Sequence, residues 1–407
     1  MVCGLLGRTL GHSYSPQIHE KLSDYEYRLF EVEPENLERF LKETGFSGLN
    51  VTIPYKKDVI PCLDELSPAA KKVGAVNTIV RRNDGTLIGH NTDCFGFQTM
   101  VRHSGLDVRN KKVLVLGTGG ASSMAVAVLK DLGAKVVTIS RSGENNYDNL
   151  TLHSDASVIV NATPVGMYPK VGISHVDLNL FSKLEGVLDL IYNPARTQIL
   201  LDAEKRGLKT ENGLLMLVAQ AWESARWFTG EEIPREKIAT IYRSLRNQME
   251  NLILIGMPGC GKTTVGRLLS KKLNRTFVDA DEELVQRYGP ISEIFKTEGE
   301  EGFRKKETEI LSGLCKQSSY VISTGGGCVT KEENYNLLHQ NGRIFLINRD
   351  LSDLPSDGRP LSRRDGVQAL YEKRKPLYEQ FADFSVDNNR SPGDTVNEIL
   401  NIWEDES

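Results

Sequence analysis

Short apolar runs of strand length alternate with helix-periodic stretches along this chain, the order that builds α/β layers with largely parallel sheets. Val113-Leu114-Val115-Leu116 runs into the glycine turn Gly117-Thr118-Gly119-Gly120-Ala121-Ser122. A helix over about 122–132 follows, then Gly133 and the strand Lys135-Val136-Val137-Thr138-Ile139. That is a βαβ unit, and further apolar runs lie at 157–160 and 186–191. Leu214 to Phe228 carries apolar residues at helix spacing and stops near Gly230; another helix starts near Pro234 and runs through Arg246. The polar stretch 246–251 marks the best boundary, because the fresh strand Leu252-Ile253-Leu254-Ile255 begins directly behind it. Neither a short repeat nor a low-complexity tract is present.

At 407 residues the chain holds two to four domains of roughly 100–200 residues each. A net charge of −4 argues against nucleic acid as the main partner and leaves room for small anions at local basic sites. No apolar run approaches the ~18 residues of a membrane span, and the first residues lack the charged-then-apolar order of a secretion signal. Six cysteines are scattered at 3, 62, 94, 260, 315 and 328 without a Cys-x-x-Cys pair, which favours reduced thiols over disulfides or a metal centre. A cytoplasmic protein is expected, with homo-oligomers allowed.

Candidate chemistry begins with Gly256-Met257-Pro258-Gly259-Cys260-Gly261-Lys262-Thr263, a Gly-x-x-x-x-Gly-Lys-Thr loop between a strand and a helix. Backbone N–H groups of Gly256, Gly259, Cys260 and Gly261 cradle phosphate oxygens. Lys262 neutralises the β/γ charge, the Thr263 hydroxyl ligates Mg²⁺, and Thr264 extends the nucleotide contacts. Behind it come Phe277-Val278-Asp279-Ala280-Asp281, read as two carboxylates on one face of a strand end, and Gly302-Phe303-Arg304-Lys305-Lys306-Glu307. Thr324-Gly325-Gly326-Gly327, Gly358-Arg359-Pro360-Leu361 and Arg374-Lys375-Pro376-Leu377-Tyr378 complete the set. Each alone has a bland reading as a salt bridge, a turn or a solvated basic face.

In this order behind a P-loop, residues 251 to 400 resemble shikimate kinase over nearly their whole length. The resemblance implies an α/β/α P-loop kinase domain at 251–407 that uses ATP and Mg²⁺. It implies that Asp279 helps order the metal and that Asp281 holds, and deprotonates, the accepting hydroxyl. Arg304 and Arg374 would clamp the shikimate carboxylate, with Glu307 orienting Arg304. Gly325, Gly326 and Gly327 would let backbone approach the ring, Arg359 would meet the phosphoryl group from a lid, and Arg390 would flank the adenine. Bidentate guanidinium recognition suits a carboxylate substrate.

The first glycine turn reads as a dinucleotide loop, with Gly117, Gly119, Gly120 and Ala121 facing phosphates. The next strand ends in Ser140-Arg141-Ser142, with no carboxylate until Glu144, so a 2′-phosphate and hence NADP(H) is favoured over NAD. Ahead of it, Gly11-His12-Ser13-Tyr14-Ser15-Pro16 sets two hydroxyls before a helix, and Asn50-Val51-Thr52-Ile53-Pro54-Tyr55-Lys56 ends a strand with a lysine. Gly74-Ala75-Val76-Asn77-Thr78 and Gly89-His90-Asn91-Thr92-Asp93 each present an amide or carboxylate at a strand end. Such ends line clefts in open α/β sheets, and this mixture suits a small polyhydroxylated acid.

On these motifs residues 3 to 246 resemble shikimate dehydrogenase. Asn161-Ala162-Thr163-Pro164-Val165-Gly166-Met167, Asp189-Leu190-Ile191-Tyr192-Asn193-Pro194 and Gly213-Leu214-Leu215-Met216-Leu217-Val218-Ala219-Gln220 reinforce the match. The resemblance implies an α/β substrate domain at 1–99, with 214–246 packing back on it, and a Rossmann NADP-binding domain at 100–213. Ser13 and Ser15 would bind the substrate carboxylate, and Thr52, Asn77, Tyr192 and Gln220 its body. Lys56 and Asp93 would be the catalytic pair, and Gly213 and Met216 would lie by the nicotinamide.

The expected protein is therefore a bifunctional enzyme that reduces 3-dehydroshikimate to shikimate with NADPH and phosphorylates shikimate with Mg-ATP. Three rivals are an NAD-dependent quinate/shikimate dehydrogenase fused to a kinase, a non-catalytic sensor of the same folds, and a P-loop kinase for gluconate or a nucleotide. Retention of Lys56, Asp93, Lys262 and the Asp279/Asp281 pair weighs against the sensor. The Arg304 and Arg374 clamp weighs against the third.

Overall fold

The computed structural model describes residues 1–11, 13–354 and 366–405. The chain forms two compact units: Met1–Val165 with Ser174–Tyr192 and Asp202–Arg243, and Gly166–Ile173 with Asn193–Leu201 and Ser244–Ser407.

The first unit holds two sheets. Strands β1 (Val2–Gly7), β2 (Glu26–Glu31), β3 (Gly48–Val51), β4 (Glu65–Leu66), β5 (Thr78–Arg81) and β6 (Leu87–His90) form one, in the order β2-β1-β3-β5-β6-β4. This sheet is mixed: β5 pairs antiparallel with both β3 and β6. The expectation of largely parallel sheets holds, with this strand as the exception: a short turn through Gly85 (φ +91°) folds β5 directly onto β6. Leu6, Leu41, Leu49, Tyr55 and Ile79 belong to the buried core packed at this sheet.

The second sheet contains β7 (Lys112–Leu116), β8 (Lys135–Ile139), β9 (Val158–Asn161), β10 (Gly186–Asp189) and β11 (Lys209–Glu211), in the order β11-β10-β9-β7-β8. All its pairs are parallel. The chain reverses its direction of travel between β7 and β9, so the loops after these strands flank a crevice at the carboxyl ends. Continuous apolar strands such as Val113–Val115 are fully buried because helices cover the sheet.

In the second unit β12 (Asn251–Ile255), β13 (Thr276–Asp279), β14 (Tyr320–Ser323), β15 (Gly342–Asn348) and β16 (Phe384–Asp387) make a parallel sheet ordered β13-β14-β12-β15-β16. Its core includes Ile253, Val265, Leu311, Ile322, Phe345 and Ile399. The polar stretch before β12 is not a solvated linker. Glu250 and Asn251 are buried, and Glu250 receives the guanidinium of buried Arg343. Arg343 and Arg275 lie over the Trp403 ring at 4.4 and 4.9 Å.

All six cysteines are free thiols. Among the described residues no helix is long and apolar enough to cross a membrane.

Candidate active sites

In the first unit β3 delivers the chain to Lys56, and the turn after β6 opens the helix Asp93–His103 on its first carboxylate. Lys56 Nζ and Asp93 Oδ2 meet at 2.6 Å, with the two side chains 31% and 15% exposed. Thirty-seven residues of chain separate them, and the sheet brings them together. Beside the pair, Asn77 Oδ1 accepts from the Thr92 backbone N–H at 2.7 Å. Its Nδ2 donates to Thr92 Oγ1 at 3.0 Å and reaches Gln220 Oε1 at 3.4 Å. Gln220 lies on the helix Leu214–Thr229, which Gly213 caps. Tyr192 meets Tyr14 edge to face at 6.2 Å, and burial raises both phenols. Ser15 is buried at the start of the helix Ser15–Leu22, and its N–H donates to Ser13 Oγ at 3.2 Å. Thr52 sits one residue beyond β3, its N–H bonded to the Leu6 carbonyl at 2.9 Å.

Sequence reasoning missed the layer beneath. Thr78, Thr92 and Ser224 form a triangle of hydroxyls 2.9 to 3.1 Å apart, and Asn50 Nδ2 donates to Ser224 Oγ at 2.8 Å. The available signal was spacing, since Ser224 follows Gln220 by four residues on one helix face. A buried network of this kind fixes the amide of Asn77 before any ligand arrives.

At the crevice of the parallel sheet, Gly117 (φ +105°) packs so closely that a Cβ would stand 3.0 Å from Thr163 and 3.1 Å from the Ala162 carbonyl. Gly119, Gly120 and Ala121 instead open the helix Gly120–Asp131 to solvent, leaving its first N–H groups available to an anion. Ser140 follows β8 with its N–H on the Asn145 carbonyl, and Arg141 is exposed beside it. A Cβ on Gly213 would fall 2.1 Å from the Leu190 carbonyl, so that approach requires glycine. Met216 is half-buried one turn further on.

In the second unit the loop after β12 takes positive φ at Gly256, Gly259 and Gly261 (141°, 87° and 102°), then feeds the helix Lys262–Leu273. Lys262 is buried, its Nζ donating to the Gly256 and Met257 carbonyls at 3.0 and 3.1 Å. Thr263 Oγ1 donates to Asp279 Oδ2 at 2.7 Å, a pair of hard oxygen groups suited to Mg²⁺. Thr264 and Arg390 are exposed. Asp279 ends β13 and caps the next helix by accepting from the Asp281 N–H at 3.1 Å. Asp281 therefore lies in the first turn of the helix Ala280–Tyr288, which corrects the reading of both carboxylates on one strand face. The N-cap bond ends the extended backbone after Asp279.

A cavity of about 440 Å³ joins Lys262, Thr263, Asp279, Asp281, Arg304, Glu307, the three glycines 325–327 and Arg374. Arg304 and Glu307, one turn apart and 5% and 2% exposed, pair at 2.6 Å. Burial pushes the Glu307 carboxyl up while Arg304 holds it down. Arg374 Nη1 donates to the Gly326 carbonyl at 3.0 Å, as does the Tyr378 hydroxyl, a contact the sequence did not disclose. At Gly325 a Cβ would lie 2.5 Å from Glu307 Oε1 and 2.7 Å from Asp281 Oδ1; at Gly327 it would strike Arg304. A second cavity of about 480 Å³, beside Arg349, Tyr371 and Lys375, holds none of the expected residues. Arg359 lies outside the described residues.

The class that fold and sites define is an α/β enzyme with a dinucleotide-type unit and a P-loop phosphotransferase unit. Residues 5–79 match the family model of the shikimate dehydrogenase substrate binding domain, and residues 258–404 that of shikimate kinase. A shikimate dehydrogenase (NADP(+)) of Clostridium perfringens is 37% identical over 265 residues, covering 60% of this chain and 97% of the relative. The crystal structure of a chorismate mutase/shikimate 5-dehydrogenase fusion protein from Clostridium acetobutylicum is similar with a TM-score of 0.57 at 38% identity, over 60% of this chain and 96% of that one. A Thermus thermophilus shikimate 5-dehydrogenase in complex with NADP(H) and shikimate gives 0.55 at 30%, over 60% and 99%. The chain belongs to the shikimate dehydrogenase family over its N-terminal 60% and carries a shikimate kinase domain at its C-terminus, making it a bifunctional shikimate-pathway enzyme.

Proposed function

We propose that the first unit reduces 3-dehydroshikimate to shikimate with NADPH and that the second transfers the γ-phosphoryl group of ATP to the shikimate 3-hydroxyl. The observation that supports the reading is that one chain carries a lysine–carboxylate pair at 2.6 Å and an arginine-lined cavity around a P-loop. NADPH, when bound, supplies the hydride. The growing alkoxide needs a proton and a positive charge, and the Lys56 ammonium gives both while Asp93 holds it in place. Asn77 and Gln220 orient the substrate's hydroxyls, with Thr52 and Tyr192 along its body. Ser13 and Ser15 take the carboxylate. Phosphates of the dinucleotide rest on the helix that Gly119 and Gly120 open, with Ser140 and Arg141 toward the 2′-phosphate. Gly213 and Met216 face the nicotinamide.

In the kinase unit the P-loop N–H groups and Lys262 hold the triphosphate, with Thr264 and Arg390 on the nucleoside side. Thr263 and Asp279 would hold Mg²⁺, which supplies charge neutralisation between phosphates. Arg304, set by Glu307, grips the shikimate carboxylate together with Arg374, and Asp281 accepts the proton of the attacking hydroxyl. Arg359 is proposed to meet the phosphoryl group. Free thiols at all six cysteines suit a reducing cytoplasm.

The test supplies 3-dehydroshikimate with NADPH and Mg-ATP, following NADPH absorbance and shikimate 3-phosphate together. One phosphorylated product per NADPH consumed is expected. Faster turnover with NADH, or no ADP formed from added shikimate, would overturn the corresponding half.

A further inference from the structure

Asn388, one residue beyond β16, is 4% exposed and pinned from three sides. Its N–H donates to the Asn348 carbonyl at 2.8 Å, and its Oδ1 accepts from Thr395 Oγ1 at 2.8 Å. Its Nδ2 donates to the carbonyl of Cys260, inside the phosphate loop, at 2.7 Å. A carbonyl only accepts, so the amide must present nitrogen there, and the hydroxyl of Thr395 then serves the oxygen.

A trans peptide is planar, with its C=O and N–H pointing opposite ways. Holding the Cys260 carbonyl toward Asn388 therefore turns the Gly261 N–H away from Asn388. Gly261 sits at φ +102°, and a Cβ there would stand 2.4 Å from Asn388 Nδ2, so the amide and the loop are fitted to each other at this point. The neighbouring Asn389 ties the same segment to the chain just beyond β15: its Oδ1 accepts from the Asp350 N–H at 2.8 Å.

We propose that Asn388 is a positioning residue for phosphate binding: it sets the Cys260–Gly261 peptide so that the Gly261 N–H faces the phosphates of the bound nucleotide. This rests on the kinase reading above. The residue is buried and acts through the loop carbonyl it holds. A peptide released from Asn388 can rotate and offer the phosphates a carbonyl in place of a donor, which weakens nucleotide and leaves the shikimate side alone.

The full chain is assayed for ADP formation with ATP and shikimate varied separately. Asn388→Ala is expected to raise the KM for ATP about tenfold, the scale of one lost hydrogen bond to a charged group. Asn388→Asp opposes one acceptor with another and is expected to raise it about 100-fold, on the scale of a lost oxyanion donor. Both should leave the KM for shikimate within about twofold, and the reductase rate of the same molecules unchanged. Thr395→Val keeps the Nδ2 bond but frees the other end of the amide; a rise of about threefold in the KM for ATP alone is expected. Unchanged KM for ATP in the two Asn388 variants would overturn the proposal. So would equal rises for both substrates with a lowered Tm, which mark a merely structural residue. An unaltered chain that forms no ADP at all would instead defeat the kinase reading on which the proposal stands.

Discussion

Replacing Gly325 by alanine tests whether the kinase cavity is assembled as described. The added Cβ would stand 2.5 Å from Glu307 Oε1 and 2.7 Å from Asp281 Oδ1. Carrying each oxygen out to an ordinary contact of about 3.4 Å displaces the two carboxylates by about 0.9 and 0.7 Å. Glu307 cannot swing into solvent, because it is 2% exposed and held by Arg304 at 2.6 Å. The shift therefore passes to Arg304, the residue proposed to grip the substrate's carboxylate, and to Asp281, proposed to accept its proton. A misplacement near 1 Å at reacting groups costs about 100-fold in rate. Gly325→Ala should accordingly lower kcat/KM for shikimate phosphorylation by about two orders of magnitude. Its NADPH-dependent reduction, measured on the same preparation, should match that of the parent. A coupled ADP assay reads the first and NADPH absorbance the second. Kinase kcat/KM within threefold of the parent would refute the reasoning, since the oxygens around Gly325 would then have no part in the chemistry.

Lys56→Ala should lower reduction by about 10²- to 10⁴-fold while phosphorylation continues, and Lys262→Ala should do the reverse; loss of both activities in either variant would contradict independent centres. Arg141→Ala should raise the KM for NADPH about tenfold, the scale of one charge-assisted contact, and leave that for NADH unchanged; equal KM shifts for the two would remove Arg141 from 2′-phosphate recognition. The buried His19, stacked on Tyr27 at 4.1 Å, has its pKa lowered by burial from an ordinary 6.5 to about 3. Between those values the unfolded chain holds a proton that the folded chain refuses, so stability falls as pH falls, by about 1.4 kcal/mol per unit below about 6.5. Urea midpoints at pH 7 and pH 5 should differ less in His19→Phe than in the parent; an identical difference would exclude this histidine as the source.

Features coded by contiguous residues were legible. The strand, glycine loop and helix around Lys262 follow from local backbone needs, and the helix read as Leu214 to Phe228 is observed as Leu214–Thr229. Pairing at a distance was not. Nothing in the run before Lys56 specifies Asp93 as its partner, and only the family resemblance joined them. Alternation suggested Asp279 and Asp281 on one strand face, but an aspartate that can cap a helix competes with strand extension, and the cap prevailed. The antiparallel β5–β6 hairpin did carry a signal, Asp84-Gly85 between two short apolar runs, which the prevailing α/β rhythm masked. The contacts of Asn388 and Tyr378 were invisible for another reason: each acts on a loop carbonyl, and a carbonyl leaves no trace in residue type.

The Glu250–Arg343 ion pair bears on how the C-terminal enzyme can be cut free. A fragment begun at Asn251, where composition invites the scissors, would strand the Arg343 guanidinium in the interior beside Trp403 without its counter-ion. Orphaning one member of a buried pair costs about 3 to 5 kcal/mol, enough to unfold many small domains. A kinase fragment begun at Asn251 should therefore be less stable than one that keeps residues 244–250 and with them Glu250.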